Sequence, residues 1–239
     1  EPLSPPDGLF AEFCARFGYA ETDDQLDAIA DVLSDLSSGN ATDRLICGDV
    51  GFGKTEVAMR AAFVAAMCGY QVALVTPTTL LARQHGKLCE ERFAGFPVKM
   101  ATLSRLTSHA DAQTIKEGLK TGDIQIVVGT HALLAKSISF NNLGLLIIDE
   151  EQRFGVAQKE RLKELKGDVH VLTLSATPIP RTLQLALSGV RQMSLISTPP
   201  VDRLAVRTFV GGWDNVVLKE AISREIQRGG QSYIIHNDI

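Results

Sequence analysis

The residues from Gly48 to Thr55 have the types and spacing of a phosphate-binding loop. Their sequence, Gly-Asp-Val-Gly-Phe-Gly-Lys-Thr, fits the pattern Gly-x-x-x-x-Gly-Lys-Ser/Thr, whose backbone N–H groups surround the phosphates of a nucleotide. In that pattern Lys54 reaches the terminal phosphates and the hydroxyl of Thr55 holds Mg²⁺. A glycine-rich turn with a solvated lysine is the alternative, but the apolar strand pattern before the loop and the helical pattern after it favour phosphate binding. The predicted contacts in and beside the loop are Asp49, Val50, Gly51, Phe52, Gly53, Lys54, Thr55 and Glu56.

An acidic pair, Asp149-Glu150, directly follows the apolar run Leu145–Ile148. A carboxylate at the end of such a strand can meet the Mg²⁺ held by Thr55, and a second one can orient or deprotonate the attacking water. Acidic pairs are usually solvated, but this pair follows a buried-strand pattern downstream of a phosphate loop. We therefore predict Lys54, Asp149 and Glu150 as catalytic residues, and Thr55 and Asp149 as the metal ligands.

Three short hydroxyl-bearing segments also end apolar runs: Pro77-Thr78-Thr79, Gly129-Thr130-His131 and Ser175-Ala176-Thr177. Their hydroxyls and N–H groups suit contacts to a phosphate backbone, which position a polymer without reading its sequence. Helix capping is at least as good an interpretation of each segment taken singly. The hydroxyls of Ser175 and Thr177 can also connect the nucleotide-binding side of the domain with the partner that the domain moves.

Gln25 has two interpretations that its spacing leaves open. Thr22 followed three residues later by Gln25 is a capping box for a helix. A carboxamide upstream of a phosphate loop can also donate to and accept from the N6/N7 edge of adenine.

The elements that position these residues alternate between strands and helices. Such apolar runs, separated by helical patterns, predict a parallel α/β sheet whose ligands gather at the carboxyl ends of the strands. Ahead of the loop, Phe10, Phe13, Cys14 and Phe17 recur at helical spacing. The predicted strands are 44–47, 71–75, 98–103, 124–128, 143–148, 169–174 and 231–235, and the helices after the loop are 55–65, 78–93, 110–120, 158–165 and 214–228.

Composition bounds the class of protein. With 239 residues and 45% hydrophobic content, the chain can bury one large α/β core, or one core and part of a second. No apolar run approaches the ~18 residues that span a bilayer, and the four cysteines make no C-x-x-C pair, so we expect a soluble cytoplasmic protein with reduced thiols and no membrane partner. A net charge of -4 gives no sign of nucleic acid, which must be argued from local contacts.

The joint order of the motifs resembles the first motor lobe of superfamily 2 helicases and translocases. Three stretches, 48–58, 149–156 and 177–183, narrow the resemblance to the family of the transcription-repair coupling factor (Mfd) and RecG, which translocate on double-stranded DNA. Phe52 with Glu56, the stretch 59–63, and the stretch 199–210 favour the coupling-factor branch. The resemblance runs from about Phe17 to the C-terminus and implies a RecA-like fold, ATP and Mg²⁺ as cofactors, and contact of Gln25 with adenine.

The resemblance also implies a division of the chain and a path for DNA. We expect a linker and a short first helix at 1–21, the ATP-binding lobe at 22–198, and an inter-lobe connection with the truncated start of a second RecA-like lobe at 199–239. RNA polymerase and repair proteins would bind through domains absent from these residues. The implied contacts to the duplex backbone are Thr78, Arg83, Ser104, Arg105, Thr130 and Arg153, and the residues implied to couple the nucleotide to movement are Ser175, Thr177 and Arg181.

Three functions remain to be compared. The first is the ATP-binding lobe of a DNA translocase in transcription-coupled repair, with RecG-like fork remodelling close to it. The second is a nucleotide-dependent binding module without turnover, which the pair Asp149-Glu150 argues against. The third is a DNA-binding protein with a vestigial nucleotide site, which an intact Lys54 and Thr55 disfavour.

Overall fold

Seven parallel strands form the sheet that carries the phosphate loop. The computed structural model describes residues 2–4, 8–165, 167, 169–176, 192–200 and 208–236. Its strands are β1 (Asp43–Gly48), β2 (Gln71–Val75), β3 (Met100–Leu103), β4 (Ile126–Gly129), β5 (Leu143–Asp149), β6 (His170–Ser175) and β7 (Gln192–Ile196). They lie in the order β3-β4-β2-β5-β6-β1-β7, and every pairing is parallel.

The strand order divides the carboxyl edge of the sheet in two. The ends of β1, β6 and β5 are neighbours on one side, and the ends of β2, β4 and β3 are neighbours on the other. Because adjacent strands lie about 4.8 Å apart, the ends of β1 and β5 are separated by about 10 Å across β6. This spacing brings the phosphate loop and the acidic pair to opposite walls of one cleft.

Helices cover both faces of the sheet. They are α1 (Leu9–Ala15), α2 (Asp23–Ser37), α3 (Lys54–Met67), α4 (Thr79–Phe93), α5 (His109–Thr121), α6 (Val156–Leu165) and, beyond the sheet in sequence, α7 (Asn215–Gln227), with 3₁₀ turns at His131–Leu134 and Glu151–Arg153. Alternate residues of β2 enter different cores, Val72 and Leu74 on one face and Ala73 and Val75 on the other. A sheet buried on both faces explains why its strands are continuous apolar runs.

The first core is anchored by aromatic side chains of α1, α3 and α4. Phe13 of α1 is fully buried, and its ring stacks on Phe63 of α3 at a centroid distance of 4.4 Å and contacts Phe93 of α4 at 5.0 Å. The predicted amphipathic first helix is therefore confirmed. Such aromatic pairs contribute about 0.5–1.5 kcal/mol each beyond burial of their area.

Two elements differ from the predictions. β7 was not predicted, because its side chains alternate between exposed and buried at the edge of the sheet rather than forming an apolar run. The predicted strand 231–235 is wrong, since residues 231–236 have no regular structure in the part of the chain described. A strand needs a neighbour for its backbone N–H and C=O groups, and Tyr233 and Ile235 are 84% and 90% exposed.

The chain divides into two units, residues 1–203 and residues 204–239. The first contains the sheet. The second contains α7, whose N-terminus is capped by the Asp214 carboxylate accepting from Val216 N at 2.8 Å. None of the helices among the described residues has the length and hydrophobicity needed to cross a membrane.

Candidate functional site

The phosphate loop joins the end of β1 to the first turn of α3. Gly51 and Gly53 have φ values of 80° and 82°, a left-handed conformation that glycine adopts without steric cost. At Gly53 a Cβ would also collide with the side chain of Gln25. The loop therefore requires glycine at this position, and it leads into the N-terminus of α3, where unpaired N–H groups favour an anion.

The Lys54 ammonium lies across the loop. Its Nζ donates to the carbonyl oxygens of Gly48 at 2.5 Å and Asp49 at 2.9 Å. Burial lowers the pKa of Lys54, and the charges of Glu150, Asp149 and Asp49 oppose that shift. Phosphate oxygens are stronger partners for an ammonium than neutral carbonyl oxygens, because a charge-assisted hydrogen bond is roughly twice as strong.

Glu150 has a strained backbone. With φ 54° it is the one non-glycine residue at positive φ among those the structure describes, a conformation that costs about 1–3 kcal/mol. The backbone N–H of Glu150 donates to Leu174 O at 2.9 Å, and its carboxylate accepts from Ala176 N at 2.9 Å and from the Gln152 side chain. These bonds hold the carboxylate against the end of β6.

Asp149 faces a different partner. Its Oδ2 lies 3.1 Å from Nε2 of His85 on α4, and both side chains are nearly buried, at 13% and 11% exposure. Neighbouring carboxylates thus project from the end of β5 into distinct surroundings.

One cleft of about 600 Å³ contains these groups. We call it the phosphate cleft, and its residues include Lys54, Thr55, His85, Asp149, Glu150 and Arg153. All of the predicted catalytic and metal-binding residues line it. Arg153, predicted as a DNA contact, lines it as well.

The oxygen donors of the phosphate cleft fit Mg²⁺ bound together with a nucleotide. Mg²⁺ is usually held by one or two protein oxygens plus phosphates and water, rather than by a cage of protein ligands. The Thr55 hydroxyl and the Asp149 carboxylate are such donors. The described residues contain no cluster of three or more His, Cys, Asp or Glu side chains able to hold a metal by themselves.

A second cleft, of about 640 Å³, adjoins the loop on its other side. We call it the base cleft, and its residues include Phe17, Tyr19, Gln25, Gly53, Glu56 and Arg92. The Gln25 carboxamide accepts from Thr22 N at 3.0 Å and donates to Phe52 O at 2.8 Å, and Thr22 Oγ1 accepts from Gln25 N at 3.3 Å. The predicted capping box is confirmed, and the contact of Gln25 with adenine stays a prediction.

Glu56 belongs to a buried network of charges. Its carboxylate pairs with Arg60 at 3.0 Å and with Arg92 at 2.6 Å, and Arg60 also pairs with Glu21. Arg92 additionally lies over the Phe13 ring at 4.2 Å. Although Glu56 lines the base cleft, its carboxylate is occupied by two guanidinium groups, and removing one partner of a buried pair typically costs about 3–5 kcal/mol.

A third cleft, of about 580 Å³, lies at the ends of β2, β4 and β3. We call it the polymer groove, and its residues include Thr78, Ser104, Arg105, Lys116, Thr130 and His131. Four of the six predicted DNA contacts therefore meet there. The fifth, Arg83, is exposed on α4.

The hydroxyls of the polymer groove also make local hydrogen bonds. Thr78 Oγ1 accepts from Leu81 N at 3.2 Å, Thr130 Oγ1 from Ala132 N at 3.5 Å, and Ser104 Oγ from Leu106 N at 3.2 Å. The capping interpretation is confirmed for Thr78, which precedes α4, and for Thr130, which precedes a 3₁₀ turn. A hydroxyl that accepts one bond can still donate its proton to a phosphate.

Of the three residues predicted to couple the nucleotide to movement, the structure describes one. Ser175 is buried at the end of β6, and it is the backbone N–H of the next residue, Ala176, that contacts Glu150. Thr177 and Arg181 lie outside the described residues.

Sequence reasoning missed several residues that line these clefts, among them His85, Lys116 and Arg92, and it gave the basic side chain of His131 no role. Each is a single polar residue within or beside a helical pattern, so spacing gave no signal. Only the meeting of α4 with the end of β5, and of α5 with β3, brings such residues to a cleft.

Comparisons with known proteins agree on a motor-protein family. A family model described as DEAD/DEAH box helicase matches residues 22–186. The chain is 54% identical over 230 residues to the transcription-repair-coupling factor of Haemophilus influenzae, covering 96% of the chain and 20% of that protein. It is 54% identical over 227 residues to the transcription-repair-coupling factor of Escherichia coli, covering 95% and 20%. The chain spans about a fifth of the length of these relatives.

Among solved structures, the chain is similar to RecG bound to a three-way DNA junction. The TM-score is 0.80 at 36% identity, over 96% of this chain and 31% of that one. The predicted parallel α/β motor-lobe fold is confirmed by this similarity and by the observed sheet.

Proposed function

The chain belongs to the DEAD/DEAH box helicase family, and from that premise we propose that it is the ATP-binding lobe of an ATP-driven double-stranded DNA translocase. The similarity to transcription-repair-coupling factors over nearly the whole chain supports a role in transcription-coupled repair. In the longer protein, other domains would bind RNA polymerase and repair proteins, and the site of action would be the cytoplasm.

The observation that carries the proposal is the convergence of Lys54, Thr55, Asp149 and Glu150 on the phosphate cleft. Lys54 exchanges its carbonyl partners for the terminal phosphates. Thr55 and Asp149 would hold Mg²⁺, which would neutralise phosphate charge when bound. Glu150 accepts a proton from, or orients, the attacking water.

The base cleft supports a purine nucleotide. Gln25 already contacts the phosphate loop through Phe52 O. Hydrogen bonds from its carboxamide to N6 and N7 of adenine would therefore connect the bound base with the loop. We propose ATP as the nucleotide on this ground.

RecG-like remodelling of DNA forks is the second candidate. The solved structure of RecG on a three-way junction, at 36% identity, favours it, while the higher identity to coupling factors favours the first. A binding module without turnover is less favoured, because a carboxylate on a strained backbone in the phosphate cleft, Glu150, suits activation of water more than binding alone.

For the 239 residues as a polypeptide, we propose that ATP binds and is hydrolysed slowly. In the longer protein we expect a second lobe to supply an arginine to the nucleotide, and such a finger is worth about 10³–10⁵ in kcat where it is used.

The test is calorimetric titration of the 239-residue polypeptide with ATP and MgCl₂, before and after Lys54→Ala. We expect measurable binding in the unsubstituted chain and its loss in Lys54→Ala, because the half-buried ammonium supplies the charge opposite the phosphates. Lys87→Ala removes an exposed lysine paired with Glu91 on α4 and should bind as the unsubstituted chain does.

Equal binding by Lys54→Ala and the unsubstituted chain would overturn the assignment of the loop. Steady-state hydrolysis in the same samples is the second measurement. A rate equal to that of the DNA-stimulated full-length protein would contradict slow turnover.

A further inference from the structure

His85 lines the phosphate cleft, and the proposed function leaves it without a role. It lies on α4, outside the loop and outside the acidic pair, and its Nε2 approaches Asp149 Oδ2 to 3.1 Å. The ring and the carboxylate are among the less exposed groups of the cleft. The contact joins two elements that are far apart in sequence.

The direction of this hydrogen bond follows from its partners. An ionised carboxylate can only accept, so His85 carries its proton on Nε2 and donates it to Asp149. The bond occupies Oδ2 and restricts rotation of the carboxylate about its side-chain bonds. Asp149 is thereby fixed in the orientation in which it shares the cleft with Thr55.

The backbone around His85 is itself held firmly. The next residue, Gly86, packs so closely on β3 that an added Cβ would collide with the side chain of Thr102. α4 begins at Thr79 with Thr78 as its cap, so a short rigid segment separates His85 from the polymer groove. The position of the imidazole is set by the sheet, not by a mobile loop.

Resting on the proposed function, we infer that His85 is a positioning residue for the metal-binding carboxylate of Asp149. In this role it acts through Asp149 rather than on the nucleotide or the attacking water. It donates a hydrogen bond to the Asp149 carboxylate. The bond restricts the rotation of that side chain in advance, so less conformational entropy is lost when Mg²⁺ and ATP bind. Outer partners of this kind typically contribute about 10–100-fold to metal affinity.

A purely structural histidine would behave differently. If His85 only filled space between α4 and β5, its removal would weaken nucleotide binding equally with and without Mg²⁺. A positioning role affects only the part of the affinity that depends on the metal. Gln offers an Nε2 donor at a similar reach, so His85→Gln should restore what His85→Ala loses.

The experiment titrates a fluorescent ATP analogue into the 239-residue polypeptide, once with MgCl₂ and once with EDTA, for the unsubstituted chain, His85→Ala and His85→Gln. We expect His85→Ala to reduce the Mg²⁺-dependent gain in affinity by about 10-fold or more, with the affinity in EDTA unchanged. We expect His85→Gln to recover most of the gain. His109→Ala, which removes an exposed imidazole at the start of α5, should match the unsubstituted chain.

Two results would overturn the inference. One is a Mg²⁺-dependent gain in His85→Ala equal to that of the unsubstituted chain. The other is a loss of the Mg²⁺-dependent gain that is as large in His85→Gln as in His85→Ala. Failure of the unsubstituted chain to bind the nucleotide would instead contradict the proposed function itself, so the two failures are distinguishable.

Discussion

Asp149 and Glu150 are adjacent in sequence but have different partners, and that difference separates their roles. Asp149 is bonded to an imidazole beside Thr55, which suits a metal ligand. Glu150 accepts from Ala176 N and the Gln152 side chain through a strained backbone turn. Strain at a single non-glycine residue persists where surrounding contacts determine it, and such residues concentrate at functional sites.

We predict that replacing the two carboxylates has effects that differ in kind. Asp149→Ala should lower the Mg²⁺-dependent affinity for ATP, because it removes a charged oxygen ligand. Glu150→Gln should preserve that affinity and reduce the hydrolysis rate of the full-length protein by about 10²–10⁴-fold, the usual contribution of a general base. Titration with and without Mg²⁺ measures the first effect, and single-turnover hydrolysis measures the second.

Glu150→Gln is a conservative change for the fold. Its side-chain oxygen can still accept from Ala176 N, while its NH₂ group faces Gln152, whose own amide can turn to present oxygen. Loss of nucleotide affinity in Glu150→Gln as severe as in Asp149→Ala would show that the two roles are assigned wrongly.

At the scale of elements, the N-terminus of α2 holds the nucleotide side of the domain together. Gln25 binds the phosphate loop through Phe52 O. One residue earlier, Asp24 Oδ2 accepts from the backbone N–H and hydroxyl groups of Ser197 and Thr198, all at 2.8 Å. These residues directly follow β7, so one helical turn joins the loop to the chain that leaves the sheet.

These bonds to Ser197, followed by those to Thr198, lower the pKa of Asp24 from 3.8 to about 2. Because the folded state binds the proton more weakly than the unfolded state, this group stabilises the fold above about pH 4 and loses its contribution as pH falls toward 2. We predict that Asp24→Asn lowers the midpoint of thermal unfolding at pH 7 and that the difference narrows below pH 4. Calorimetry across this pH range measures both.

Asp23→Asn is the matched control, since Asp23 is exposed in the same first turn of α2. It removes the same charge from the same helix terminus without touching Ser197 or Thr198. A shift in Asp23→Asn as large as that in Asp24→Asn would attribute the effect to the helix dipole rather than to the four hydrogen bonds.

At the scale of the whole molecule, one sheet edge carries two separate clefts. The phosphate cleft forms at the ends of β1, β6 and β5, and the polymer groove at the ends of β2, β4 and β3. α4 spans both, from Thr79 in the groove to His85 in the cleft. A net charge of -4 gives no overall attraction to DNA, so we expect any attraction to come from local cations such as Arg105 and Lys116 of the groove.

We predict weak, sequence-independent binding of duplex DNA with a strong dependence on salt. Non-specific affinities are typically ~10⁻⁴–10⁻⁶ M at physiological salt, and a groove with few cations should lie at the weak end. Arg105→Ala should reduce the slope of log affinity against log salt by about one unit, since one phosphate contact is lost. Titration of labelled duplexes of unrelated sequence at several salt concentrations measures the slope.

Lys87→Ala removes an equal charge from an exposed position on α4 and should leave the slope unchanged. Arg153 was predicted as a DNA contact but lines the phosphate cleft. The salt slope of Arg153→Ala, compared with that of Arg105→Ala, therefore tests whether Arg153 contacts DNA. An unchanged slope in Arg105→Ala, or a strong preference for one duplex sequence, would contradict the placement of DNA in the groove.

The sequence by itself determined the features whose signals are local. The phosphate loop, the acidic pair, the Thr22-Gln25 capping box and the buried strands each lie within one short stretch, where residue type and spacing dictate the backbone. The predicted limits of those strands differ from the observed ones by only one or two residues at most ends, because apolar runs end where burial ends.

Only the tertiary structure decided which ends of strands meet. The order of the strands separates four of the predicted DNA contacts from Arg153, pairs His85 with Asp149, and adds β7 beside β1. The packing of the helices also brings Gln25 to the carbonyl oxygen of Phe52 and places the Glu56 carboxylate between Arg60 and Arg92. Each of these contacts joins residues that are distant in sequence or depends on the packing of whole elements, and no local spacing records which strand becomes the neighbour of which.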